Sequence, residues 1–364
     1  MKSKSEKTVV LGMSGGVDSS VSALLLKQKG YKVIGVFLRS YPDNTNYLDS
    51  ECPFKPDKQI AEKLAEKLGI EFQVVDYRKQ YMSLVINPMI KSYKKNLTPN
   101  PDVQCNALIK FPVLWKIAKK FKADFIATGH YSRIKKTSLG FQLLRGVDST
   151  KDQSYFLHEL NQFDLSHTLF PLGNLTKKEV REVAKKNGFS NHDKQGSRGI
   201  CFVGKTDMKS LLKANLSSSP GPVLSPEKRV VGTHPGSIFF TIGERIGPKH
   251  QVVIDDKYRN KEKSKLYVAK KEGNTITIAP QNHPILKTKE VKIQSLHKIN
   301  PKTKIPPTGL KARIRHLGAL HSGKLTLTPK PKFTFSKAQE GIAPGQSIVF
   351  YKNKSLVCAG EISN

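Results

Sequence analysis

Two cysteines and one glycine-rich turn carry the chemistry open to this sequence. In Thr98-Pro99-Asn100-Pro101-Asp102-Val103-Gln104-Cys105-Asn106, two prolines stiffen a loop. Cys105 falls at or near the start of the helix expected next, where the dipole lowers a thiol pKa and favours the nucleophilic thiolate. Asp102, three residues earlier, could accept a proton. In Ser197-Arg198-Gly199-Ile200-Cys201-Phe202, a glycine and a cation stand just upstream of a second thiol, as suits an approachable cysteine. The third segment is Gly12-Met13-Ser14-Gly15-Gly16-Val17-Asp18-Ser19-Ser20. Its glycines let the backbone come close to a ligand, and its free N–H groups and helix dipole favour an anion. It lacks the Gly-Lys-Ser/Thr ending of a Walker loop.

The elements that must hold these segments follow an alternating pattern up to about residue 130. Val9–Leu11, Lys32–Leu38, Phe72–Asp76 and Asp124–Thr128 read as strands. Between them Val21–Leu26, Asp57–Leu68, Gln80–Lys95 and Ala107–Phe121 read as helices; Ile60, Leu64 and Leu68 share one face. This order implies an α/β domain with a parallel sheet covered on both faces, its ligand at the carboxyl ends of the strands. Tyr131–Asp148 reads as a hairpin turning near Gly140, and Thr176-Lys177-Lys178-Glu179 as a capping box. Asn191–Gly199 reads as a mobile loop, and Asp207–Asn215 as a short helix. Ser217-Ser218-Ser219-Pro220-Gly221-Pro222 is a breaker cluster, beyond which short alternating runs such as Lys265–Ala269, Leu310–Arg315 and Ser347–Tyr351 predict β-structure. The expected division is a catalytic domain at 1–216, a small β-rich domain at 217–280 and a β-barrel-like domain at 281–364.

The 364 residues carry 62 Lys+Arg against 29 Asp+Glu, a net charge of +33. Such an excess points to a polyanionic partner, and from Ile285 to Phe333 the only acid is Glu290. No run is apolar enough to span a bilayer and the N-terminus leaves no room for a signal peptide, so the expected location is cytoplasmic. None of the four cysteines stands in a CxxC pair, so no zinc or other metal ligand set is expected. Cys52 and Cys358 read as inert thiols, His234 as structural and Trp115 as core.

Ser-Gly-Gly-x-Asp-Ser between strand and helix is similar to the signature of the PP-loop ATP pyrophosphatases. With Thr-Pro-Asn-Pro-Asp-Val-x-Cys-Asn, Ile109-Lys110-Phe111, Ala127-Thr128-Gly129-His130-Tyr131, Lys151-Asp152-Gln153-Ser154-Tyr155-Phe156-Leu157, Gly199-Ile200-Cys201-Phe202-Val203-Gly204 and Ala343-Pro344-Gly345-Gln346-Ser347, the chain resembles the bacterial wobble-uridine tRNA 2-thiouridylases over nearly its whole length. The resemblance implies that Gly12, Met13, Ser14, Gly15, Gly16, Val17, Asp18 and Ser19 hold ATP, with Leu38 beside the adenine and Gly129 touching the nucleotide. It implies Cys105, Cys201 and Asp102 as catalytic, with a persulfide on Cys201 and Mg2+ accompanying ATP. It implies that Asn100, Pro101, Asp102, His130, Lys151, Asp152, Gln153, Arg315, His316 and Gln346 contact tRNA. The implied partners are tRNAs for Lys, Glu and Gln and a cysteine desulfurase or sulfur-relay protein, acting on a monomer. Arg198, Glu244 and His316 depart from the family pattern, as do Tyr41-Pro42-Asp43-Asn44 and Pro248–Arg259. Two other classes compete: a PP-loop ligase acting on a small metabolite, which needs no paired cysteines, and a non-catalytic RNA-binding protein.

Overall fold

The computed structural model describes residues 6–40, 54–195, 208–247, 250–262, 264–306 and 308–363. The expected parallel sheet is present and has five strands. These are β1 (Thr8–Gly12), β2 (Lys32–Arg39), β3 (Glu71–Asp76), β4 (Phe125–Ala127) and, after the hairpin described below, β7 (Thr168–Leu169), in the order β3-β2-β1-β4-β7. β7 was not foreseen; two residues are too few to show a period. Alternation along the strands sends side chains into two layers. Val9, Leu11, Val33 and Phe37 pack against helices Val17–Gln28, Phe54–Leu68 and Lys177–Lys186. Val10, Ile34, Val36 and Leu38 face the opposite layer, which holds Tyr81, Met89, Cys105, Ile109, Leu114 and Ile117.

That second layer contains two long helices, each interrupted by a π-turn. One runs Arg78–Tyr81, Met82–Ile86, Asn87–Lys94; the other runs Pro101–Gln104, Cys105–Lys110, Phe111–Lys120. Both were expected as plain helices. A π-turn inserts one extra residue and occurs often at functional positions. Cys105 opens the second one.

β5 (Ser132–Thr137) and β6 (Gly140–Arg145) form the expected hairpin, but it leaves the parallel sheet and joins the C-terminal one. A five-stranded middle sheet comprises β8 (Gly221–Leu224), β9 (Val230–His234), β10 (Val253–Ile254), β11 (Leu266–Glu272) and β12 (Thr275–Pro280), ordered β10-β9-β8-β12-β11. The last unit contains β13 (Lys287–His297), β14 (Lys311–Arg313), β15 (His321–Thr326), β16 (Lys332–Glu340), β17 (Ser347–Lys352) and β18 (Ser355–Ile362). Their order β13-β16-β15-β14-β17-β18 closes through a β13–β18 pairing into an antiparallel barrel around Val291, Phe333, Phe335, Ile348 and Phe350. β6 pairs with the start of β18, Leu144 opposite Ser355, so one sheet joins the N-terminal domain to the barrel. No helix among the described residues is long and apolar enough to cross a membrane.

Candidate active site

β1 ends at Gly12, and the Met13 N–H donates to the Val36 carbonyl at 2.8 Å before the chain turns away. Gly15 has φ +71°, and a Cβ there would strike the Asp57 carbonyl, so only glycine fits. Gly16 is the N-cap of helix Val17–Gln28, and no side chain caps it. Ser19 braces the turn from inside: its Oγ accepts from the Ser14 N–H at 3.1 Å and donates to the Gly16 carbonyl at 3.0 Å. Ser20 Oγ donates to the same carbonyl at 3.1 Å. The uncapped helix start keeps its positive dipole end open to an anion.

Asp18, in the first helical turn, collects two donors on one oxygen. Tyr131 OH donates at 2.7 Å and Lys177 Nζ at 2.6 Å. Burial, reinforced by Asp18, pushes the Tyr131 phenol pKa up, which keeps it a donor. Lys177 opens helix Lys177–Lys186, whose Thr176–Glu179 capping box forms in both directions. Opposite, Gly129 emerges from β4 directly against the turn; a Cβ on it would lie 3.1 Å from the Asp18 carbonyl carbon and the Ser19 nitrogen. β1 and β4 are the neighbours where strand order reverses, which is where open α/β sheets bind ligands. On the other side of the turn, Asn191 Nδ2 donates to the Gly15 carbonyl at 3.1 Å and to Ser20 Oγ at 3.0 Å. Lys194 Nζ donates to the same carbonyl at 3.3 Å and pairs with Asp57. The chain leading toward Cys201 is therefore anchored on the turn at Asn191–Lys194. Cys201 itself, Arg198 and Cys52 lie outside the described residues.

Cys105 is fully buried. Asn100 caps its helix by accepting from the Val103 N–H at 3.4 Å, with Pro101 in the first turn. Asn106 Nδ2 donates to the Asp102 carbonyl at 3.0 Å and to the Phe156 carbonyl at 3.4 Å. Farther along the helix, Leu114 lies 3.5 Å from where a Gly12 Cβ would be, and Phe111 stacks on His130 with ring centroids 6.3 Å apart. Thus the Cys105 helix packs on the strand that delivers the turn. Leu38 is buried at the end of β2 in the same layer. Burial, then Lys110, holds the His130 pKa well below its ordinary value, so the ring is neutral. It hydrogen-bonds Thr128 Oγ1 at 2.8 Å.

The C-terminal Ala343–Ser347 motif grips the Cys105 loop. Gln346 Nε2 donates to the Thr98 and Pro99 carbonyls at 2.8 and 3.3 Å, and the Thr98 N–H donates to the Pro344 carbonyl at 2.8 Å. Gly345, at φ +89°, would bring a Cβ within 2.9 Å of the Thr98 nitrogen. Tyr155 OH donates to the Ser347 carbonyl at 2.8 Å, and His158 Nε2 bonds Ser347 Oγ at 2.9 Å.

Among the residues that the resemblance directs toward RNA, Lys151 and Arg315 are exposed. Asp152 is not: it is fully buried, pairs with Arg313 at 2.7 Å and accepts the Gly146 and Ser154 N–H groups. Gln153 Oε1 accepts from the Tyr131 N–H at 3.0 Å, so both residues are engaged inside the protein. His316 is half-buried against Phe156, ring centroids 4.1 Å apart; burial and Arg313 bring its pKa down to about 4. Lys177, Tyr131, Asn191, Lys194 and Arg313 were not picked out from sequence. Tyr131 and the capped Lys177 stood in motifs, but only tertiary contacts bring them to Asp18 or, for Arg313, to Asp152. Glu244 pairs with His250 at 2.9 Å and accepts the Thr241 N–H, which gives that departure a structural role.

Residues 7–205 match the family model of the tRNA methyl transferase HUP domain. Residues 209–280 match the tRNA methyl transferase PRC-barrel domain, and 288–362 the aminomethyltransferase β-barrel domain. Over its length the chain is 38% identical to tRNA-specific 2-thiouridylase MnmA 2 of Aliarcobacter butzleri, with 98% of each chain covered. The chain belongs to the tRNA-specific 2-thiouridylase family. It is 39% identical to the Ralstonia pickettii 2-thiouridylase, covering 99% of this chain and 96% of that one. Against the Bordetella parapertussis member it is 40% identical, covering 97% and 96%. A 4-thiouridine synthetase bound to RNA and ATP matches 55% of this chain and 46% of that one at 16% identity and TM-score 0.35. Within this 2-thiouridylase family framework the architecture is a PP-loop HUP domain, a PRC-barrel and an antiparallel β-barrel.

Proposed function

We infer that this protein replaces the C2 oxygen of the wobble uridine of tRNA with sulfur, using ATP and a cysteine persulfide. One observation carries the reading. In a chain of this family, the helix bearing Cys105 packs on the strand that ends in the Gly12–Ser19 turn, and Gly129 presses against that turn from β4. The named relatives are tRNA-specific 2-thiouridylases, and the net charge of +33 suits a polyanionic substrate.

In this reading the turn's N–H groups hold the ATP phosphates and Leu38 borders the adenine. The wobble base leaves its stack to reach the site. Its C2 oxygen attacks the α-phosphorus; the α–β bridge breaks and pyrophosphate departs, leaving an adenylated base. Cys201 arrives carrying a persulfide from a cysteine desulfurase or relay protein. The terminal sulfur, freed as hydrosulfide by attack of Cys105 on Cys201 Sγ, adds at C2, and AMP leaves. That attack leaves a Cys105–Cys201 disulfide, which a thiol reductant must return to two thiols. Asp102 takes up the proton released at this step. Cys105 is enclosed in the free protein, so the Thr98–Cys105 segment must shift when substrates bind. Asn100 and Pro101 would line the base, and Lys151 and Arg315 would meet the RNA backbone.

Asp18, the carboxylate beside the turn, would hold the magnesium that accompanies ATP. Bound there, it would neutralise charge on the leaving pyrophosphate. Among the described residues no group of three or more His, Cys, Asp or Glu could hold a metal unaided. A cytoplasmic monomer acting on the tRNAs for Lys, Glu and Gln is the accompanying proposal.

The test is nucleoside mass spectrometry of tRNA incubated with the protein, ATP, magnesium and a desulfurase-driven sulfur source. ATP-dependent 2-thiouridine at the wobble position, lost in Cys105→Ser and Cys201→Ser, is the expected result. A methylated nucleoside made from a methyl donor, or AMP formation with a small acceptor and no thiolation, would replace this reading.

A further inference from the structure

We propose that Lys177 is a ligand of the ATP phosphates, held on Asp18 while the turn is empty and transferred to the phosphate chain when nucleotide enters. The inference rests on the turn being an ATP site. Between Gly12 and Ser20 there is a carboxylate, Asp18, but no Lys or Arg. A phosphate chain on those N–H groups would face that carboxylate at close range, and like charges in a partly desolvated site repel strongly. Any side-chain cation that joins magnesium in offsetting this repulsion must come from elsewhere in the fold.

Among the described residues, two ammonium groups reach the turn. Lys194 lies on the Gly15 carbonyl and is paired with Asp57. Lys177 stands 2.6 Å from Asp18 itself, with its side chain 15% exposed against 33% for Asp18. Its backbone is fixed independently of its ammonium. The Thr176–Glu179 box caps the helix, and the Lys177 N–H donates to Asp148 Oδ2 at 2.9 Å. The ammonium can therefore pivot on its own stem without moving the helix. Tyr131 OH, 2.7 Å from the same Asp18 oxygen, keeps the carboxylate oriented after Lys177 leaves it. The pair is a neutral latch in the empty state and releases three N–H donors on loading.

The test is equilibrium binding of ATP and of AMP by calorimetry in chelator, without added metal. The proteins are wild type, Lys177→Met, Lys177→Arg and Asp18→Asn/Lys177→Met. Lys177→Met should weaken ATP by about tenfold or more, as expected for a lost charge-assisted contact, while AMP affinity stays within about twofold. Lys177→Arg should keep most ATP affinity, and the double variant should remain as weak as Lys177→Met. Equal losses for ATP and AMP, or no loss, would overturn the proposal. So would recovery of ATP affinity in the double variant, because Lys177 would then only screen Asp18. If wild type binds no ATP in chelator but binds it once magnesium is restored, this inference fails and the functional reading stands; if it binds none with magnesium either, both fail. If it binds ATP in the predicted pattern yet makes no thiouridine, the functional reading fails and the role of Lys177 stands.

Discussion

Two aspartates in this molecule each hold a cation at nearly the same distance, and they differ in everything around them. Asp18 and Lys177 are 2.6 Å apart with side chains 33% and 15% exposed; Asp152 and Arg313 are 2.7 Å apart with side chains 1% and 4% exposed. The first pair borders the open turn. The second is sealed in the seam between the catalytic domain and the barrel, where Asp152 also takes two backbone N–H groups and Arg313 lies 5.4 Å from the Tyr351 ring. A sealed pair cannot exchange partners without leaving a buried charge, so it fixes structure. A half-open pair can exchange them, so it is available for function.

Breaking one partner in each pair should separate them most widely. Arg313→Met leaves the Asp152 carboxylate buried and uncompensated, and should cost about 3–5 kcal/mol of stability. Lys177→Met should cost no more than about 1 kcal/mol, because water reaches its pair. Urea unfolding of both variants measures this; comparable losses would erase the distinction.

The seam also contains Gln346, which the resemblance assigns to RNA and the structure places on the Thr98 and Pro99 carbonyls. If it positions the Cys105 loop, Gln346→Ala should lower kcat about tenfold or more and leave the KM for tRNA little changed. A raised KM with unchanged kcat would return Gln346 to the RNA contacts. The expected loss of stability is about 1 kcal/mol, because the two carbonyls left unmet are only partly buried.

How much of this was legible in the sequence follows the same divide. The turn was legible because strand, glycines, Asp18 and helix are consecutive, and local sterics define such a site. The helix after the Cys105 loop was legible because two prolines mark the loop before it. The π-turn beginning at Cys105 was not, since its extra residue leaves no mark on the apolar period. The seam was unreadable for a different reason: Asp152–Arg313, Gln346–Thr98 and Leu144–Ser355 are separated by 161, 248 and 211 residues, and nothing local specifies such pairings. The resemblance implies Asp152 as an RNA contact, and the structure instead buries it against Arg313.

His316 offers a smaller test of the seam. Burial and Arg313 hold its folded-state pKa at about 4, below the unfolded value of about 6.5. Between those values the unfolded chain binds a proton that the folded protein does not. Stability is therefore full above about pH 6.5 and declines as pH falls toward 4. His130, also held low by burial, acts in the same direction. Thermal unfolding across this range should show the decline, and His316→Phe should flatten it. An unchanged slope would mean that His316 is as solvated in the folded state as in the unfolded one.

The smallest effect separates two buried thiols. Cys105 and Cys358 are both fully buried, one at a π-turn beside the seam, the other in β18 at the barrel core. Burial pushes the Cys358 thiol up to about 12, so it stays protonated and unreactive near neutral pH. Cys358→Ala should cost about 1 kcal/mol for the small void it leaves and should not change thiolation. Cys105→Ala removes the same sulfur from an equally buried place and should abolish thiolation at a similar cost in stability. Burial alone then does not separate the two thiols; what sets Cys105 apart in the proposed reading is a helix seated on the Gly12–Ser19 turn and a loop that the barrel holds in place. Loss of thiolation in Cys358→Ala would show that the barrel core, too, takes part in positioning that loop.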